Sequence, residues 1–64
     1  MIKNNIKVER AKLNITQAEL AKRISVSRQT INSIENGKFT PSVELALKIA
    51  RVFNTPVENV FRLE

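Results

Sequence analysis

Only two residues, Ser25 and Val26, separate two stretches that each carry the marks of a helix. Upstream, Thr16 is placed to cap a helix from Gln17 to Ile24. Glu19, three residues on, can return its carboxylate to the cap's own N–H and close a capping box. Downstream, Ser27 can cap a second helix that runs to Asn36, where Gly37 offers a left-handed stop. So short a link forces a large angle between the two axes and leaves the second helix projecting from the body. The chain is therefore expected to be all-α around this pair, at residues 17–36.

The outward side of the second helix follows from an advance of about 100° per residue. Thr30, Ile31 and Ile34 share one side, with Ser27 at its N-terminal end, and turn inward. Arg28, Gln29, Asn32, Ser33 and Asn36 lie opposite. Arg pairs with guanine O6/N7, Gln or Asn with adenine N6/N7, and Ser with several base-edge groups. A merely solvated face carries many Glu and Lys. This one has an Arg, four amide or hydroxyl residues and no carboxylate. Entry into the major groove of double-stranded DNA is the expected role, with Ser27, Arg28, Gln29, Asn32 and Ser33 touching bases. Thr16, Gln17, Asn36, Lys38 and Thr40 are the expected phosphate contacts. The first two sit at a helix N-terminus whose N–H groups favour anions, and the others lie at the far end of the second helix and the loop beyond it.

At these residues the sequence resembles the Cro/CI-type, or XRE, helix-turn-helix family. Ala21 stands where that family has a small residue for close helix approach, and Leu20, Ile24, Val26, Ile31 and Ile34 occupy its core positions. Arg10 and Glu35 match an arginine and a glutamate that the family joins as an ion pair between its first and third helices. ENGK at 35–38 followed by Pro41 matches its next loop, PSVELALKIARVF its fourth helix and TPVENVF its fifth, so the likeness covers about residues 5 to 61. Among members it is most similar to short stand-alone regulators with SRQTI at the start of the recognition helix, among them a small repressor of a cytolysin operon. The resemblance implies a five-helix, lambda-repressor-like DNA-binding domain and a dimer contact through the fifth helix and the residues before it. There is one departure: the family often has Gly in the turn where this chain has Ser25, and a left-handed Ser costs about 1 kcal/mol.

Sixty-four residues make one small domain, 1–64, near the size at which a single core is marginal without help. Cysteine, histidine and aspartate are absent, which excludes disulfides and leaves transition-metal ligation to Glu alone; no metal and no cofactor is expected. No run of about 18 apolar residues and no signal-peptide core occurs, and a cytoplasmic location is expected. The net charge of +5 is uneven. Residues 1–38 hold eight of the eleven Lys and Arg and three of the six Glu, and residues 39–64 hold three of each. The excess accompanies the two-helix motif and favours phosphate. RNA modules would offer more aromatic surface than three Phe. An enzyme would have to work with Glu or Lys alone and could build no phosphate loop from a single Gly. An antitoxin whose main partner is a toxin is the alternative, but only a few residues follow the fifth helix. No effector domain for a small-molecule ligand is evident.

The remaining segments read as support. A first helix, about Asn5 to Leu13, places Ile6, Arg10 and Leu13 on one stripe, which makes Arg10 a structural partner for Glu35. A fourth follows Thr40 as cap and Pro41 at its first position. Its polar residues Glu44, Lys48 and Arg51 form one narrow stripe, so it is expected to be buried on several faces. A fifth is signalled by Thr55 as cap, Pro56 and Glu58 in a capping box. The C-terminal region carries more apolar side chain than one small domain hides easily. Leu47, Val52, Thr55, Pro56, Val57, Val60 and Phe61, within a region about 47–63, are the expected homodimer interface. Phe61 and Leu63 alternate with Arg62, which suggests a short strand pairing with Ile2 to Asn4.

Overall fold

In the computed structural model, described for residues 2–64, five helices are closed at one end by a two-stranded antiparallel ribbon. The elements are β1 (Ile2–Asn4), α1 (Ile6–Leu13), α2 (Gln17–Arg23), α3 (Arg28–Glu35), α4 (Val43–Val52), α5 (Val57–Val60) and β2 (Phe61–Leu63). Ile2 pairs with Leu63, Lys3 with Arg62 and Asn4 with Phe61. The ribbon is tied to the helices by Asn4, whose Nδ2 donates to the Ile34 carbonyl at 3.0 Å while its Oδ1 accepts from the Ile6 N–H at 3.2 Å.

The four longer helices end in the same way. Asn14 (φ 55°), Ser25 (φ 60°), Gly37 (φ 74°) and Asn54 (φ 53°) each take the left-handed conformation just past a helix. After α2, the Ser25 N–H bonds the Lys22 carbonyl at 3.3 Å and the Val26 N–H bonds Ala21 at 3.0 Å. The same double bond recurs at Asn14–Ile15, Gly37–Lys38 and Asn54–Thr55. These are Schellman closures, which satisfy the orphan carbonyls and reverse the chain sharply. Three of the four are made by non-glycine residues. The turn between α2 and α3 therefore keeps its geometry with Ser25 in place of Gly.

Ile6, Leu20, Ile31, Ile34, Ile49 and Val60 are fully buried and, with Ile15, Ala21, Ile24, Ala50 and Phe53, form one core to which every helix contributes. Several sequence expectations need correction here. Leu13 is 45% exposed, because the left-handed Asn14 turns the chain so that Ile15, not Leu13, enters the core. The cap of α4 is Ser42, whose Oγ accepts from the Leu45 N–H at 3.1 Å. Thr40 and Pro41 precede the helix, whose first turn begins at Val43 and so takes its cap from Ser42. At α5, Pro56 occupies the cap position and offers no side-chain acceptor. Thr55 Oγ1 instead accepts from Asn59 Nδ2 at 3.2 Å, and no capping box with Glu58 forms. α4 is not buried on several faces: only Ile49 and Ala50 are enclosed, and Val43 and Leu47 are 78% and 52% exposed. Val60 belongs to the core and is closed to any partner.

Candidate nucleic-acid interface

α3 is set in place by its two ends. At the start, Ser27 Oγ accepts from the Thr30 N–H at 3.1 Å and lies 2.9 Å from Thr30 Oγ1. At the finish, Gly37 and Lys38 close onto the Ile34 and Ser33 carbonyls. Ile31 and Ile34 anchor the inner side in the core. The outer side then presents Ser27, Arg28, Gln29, Asn32 and Asn36 to solvent, with Ser33 partly covered. Lys38 and Thr40 are exposed in the loop that follows. At the start of α2, Thr16 and Glu19 form the reciprocal capping box, with both bonds at 3.0 Å.

The only carboxylate on α3 is masked. Arg10 of α1 donates from Nε to Glu35 Oε2 at 2.8 Å and from Nη2 to Oε1 at 3.2 Å, and its Nη1 reaches the Ile15 carbonyl at 3.1 Å. The side chains keep only 15% and 3% of their surface exposed. This two-pronged pair fixes the far end of α3 against α1 and cancels a charge that would repel phosphate. Arg28 and Lys38, near opposite ends of the same helix, have no carboxylate partner among the described residues.

Gln17 has a role that its place at the start of α2 does not reveal. Its Nε2 donates to both Glu35 Oε1 and Asn32 Oδ1 at 3.2 Å, and its Oε1 accepts from Arg28 Nη1 at 3.3 Å. The Gln17 side chain is thereby engaged within the α2–α3 pair, which leaves the main-chain N–H groups at the start of α2 as the groups expected to favour a phosphate. Arg10, Glu35, Gln17, Arg28 and Asn32 thus form one connected network from the α1 side to the outer face. No local sequence signal marks it, because its members meet only through the crossing of the helices. An open hollow of about 300 Å³ adjoins the outer face, lined by Ser27, Gln29, Thr30, Ser33, Lys38 and Phe39.

The helix-turn-helix family model matches residues 6–60, from α1 through α5. The chain belongs to the helix-turn-helix family. An uncharacterized HTH-type transcriptional regulator of Archaeoglobus fulgidus is 55% identical over 60 residues, covering 94% of this chain and 84% of that one. Another, from Methanocaldococcus jannaschii, is 51% identical over 63 residues, with 98% and 96% covered. The crystal structure of a candidate DNA-binding protein from Bacteroides fragilis matches this helix-turn-helix domain with a TM-score of 0.86 at 29% identity, covering 97% of this chain and 100% of that one. Helix-turn-helix proteins of this kind are transcriptional regulators with a DNA-binding domain, not enzymes. No helix among the described residues is long and apolar enough to cross a membrane.

Proposed function

We infer that this helix-turn-helix protein is a cytoplasmic transcriptional repressor that binds double-stranded DNA as a homodimer at a near-palindromic operator. The observation that carries this reading is the division of α3. Arg28, Gln29 and Asn32 are exposed toward solvent, two of them oriented by Gln17, while Glu35 is covered and neutralised by Arg10. In the complex, Ser27, Arg28, Gln29, Asn32 and Ser33 meet bases. Thr16, Asn36, Lys38 and Thr40 lie along the backbone, as does Gln17 through its main-chain N–H at the start of α2. Repression is favoured by the resemblance to short stand-alone regulators that include a small repressor of a cytolysin operon.

A dimer is favoured by the exposed apolar side of α4 and α5. Leu47 rims an open hollow of about 530 Å³ with Thr55, Pro56 and Val57. Val52, beside the end of α2, and Phe61, beside Ile2 and Ile34, are partly exposed. A two-fold pairing there would set two recognition helices about 34 Å apart, one turn of DNA. Selection of binding sites from random duplexes, followed by sequencing, tests the proposal. Half-sites centred about 10 bp apart are expected. Recovery of asymmetric single sites, or of no consensus, would overturn it.

A further inference from the structure

Phe39 stands beside the outer face of α3 and is neither a proposed base contact nor a proposed phosphate contact. Its neighbours Lys38 and Thr40 are the proposed phosphate contacts. The bond from the Lys38 N–H to the Ser33 carbonyl at 2.9 Å, with Gly37 at φ 74°, brings the chain back along α3 just before the ring. Phe39 is 48% exposed. It borders a small notch lined also by Ile2, Ile34, Pro41 and Phe61. It also borders the hollow that Gln29, Ser33 and Lys38 line. The exposed part of an aromatic ring therefore shares a cavity with an amide, hydroxyls and an ammonium group, at the surface proposed to meet DNA.

A base edge satisfies both halves of this lining. Gln29 and Ser33 can meet its hydrogen-bonding groups, and Phe39 needs an apolar one. In the major groove the only apolar group on a base edge is the C5-methyl of thymine, which Phe can contact. We propose that Phe39 is a specificity-determining residue that reads a thymine methyl in each half-site. The inference rests on the DNA-binding function stated above and adds a base preference from a residue outside the recognition helix.

The test takes the selected operator and replaces its thymines one at a time by deoxyuridine, which removes only the methyl. With the wild-type protein, one position per half-site should lose about three- to fivefold in affinity, the effect of one buried methyl-sized group. In Phe39→Ala, and in Phe39→Gln, which keeps bulk against the notch, the thymine and deoxyuridine operators should bind equally. Circular dichroism melting identifies which variants are folded, and either one suffices. Deoxyuridine effects that are absent, or that persist unchanged in the folded variant, overturn the proposal. So does an equal loss on operator and random duplexes, which would place the ring against the sugar backbone. A wild-type protein with no sequence preference removes the proposed function as well, whereas a normal two-half-site operator with Phe39-independent methyl effects removes this inference alone.

Discussion

Gln17 and Asn32 are joined across the turn between α2 and α3 by a 3.2 Å hydrogen bond from Nε2 to Oδ1, and the same amide holds Arg28 and Glu35. One side chain thereby fixes two proposed base-reading groups before DNA arrives. Gln17→Ala should leave stability within about 1 kcal/mol of wild type, since these are partly solvated hydrogen bonds. It should weaken operator binding about tenfold, because Arg28 and Asn32 must then be ordered during association at about 0.5–1.5 kcal/mol per side chain. Fluorescence anisotropy beside thermal melting separates the two effects. Unchanged operator affinity would show that Gln17 does not organise the reading face.

Base and phosphate contacts should respond differently. Arg28→Ala is expected to cost about 1–3 kcal/mol on the operator and little on random DNA. Lys38→Ala should weaken binding on every sequence and make the salt dependence shallower by about one unit of slope. Titrations on both duplexes at several salt concentrations check this. If only Lys38→Ala alters base preference, the two assignments are reversed.

The Arg10–Glu35 pair is expected to act on folding first. Glu35→Gln leaves a guanidinium enclosed without its counter-charge, and should destabilise the domain by about 3 kcal/mol or more. Replacing both partners by apolar residues of similar volume, Arg10→Met with Glu35→Leu, should recover much of that loss. Chemical denaturation of the single and double variants measures both. Wild-type stability of Glu35→Gln combined with tighter DNA binding would move Glu35 from the fold to the DNA surface.

Leu47→Glu should convert the protein from dimer to monomer at micromolar concentration. Leu47 is half exposed beside Pro56 and Val57 and carries little of the core, so the monomer should stay folded. Sedimentation equilibrium gives the mass, and the same variant should lose cooperative binding to a two-half-site operator. A wild-type protein that sediments as a monomer while occupying both half-sites independently would count against this interface.

Ser25→Gly should stabilise the domain. A left-handed non-glycine residue costs about 1–2 kcal/mol, against about 0.5–1 kcal/mol for the extra freedom of Gly in the unfolded chain. The net gain should be about 0.5–1 kcal/mol, visible as a higher midpoint in urea. A lower midpoint would mean that the serine contributes more than its conformation costs.

What the sequence determined by itself is what a side chain does within one turn of its own backbone. Thr16 with Glu19, and Ser27 with the Thr30 N–H, reach only three residues along the chain, so the starts of α2 and α3 were legible without any tertiary contact. The link itself is four residues, Ile24 to Ser27, because Ile24 and Ser27 serve as caps outside the helices. The inward positions Ile31 and Ile34 follow from helical period in the same way, and the buried Leu20 and Ile24 were legible through the family resemblance. The tertiary structure alone decided matters that depend on how helices cross. Leu13 and Ile15 are equally apolar, and only the left-handed turn at Asn14 selects the second for the core. Thr40 and Ser42 are both capable caps, and the choice fell to the residue three before the Leu45 N–H once the chain had left α3. Gln17 sits at a helix start like any anion-facing residue. Its partners are 11, 15 and 18 positions away, so its role exists only because α2 and α3 pack at the angle they do. Caps and periodic burial are local and show in the order of residues, whereas pairing between polar side chains depends on distances that only the packed chain sets.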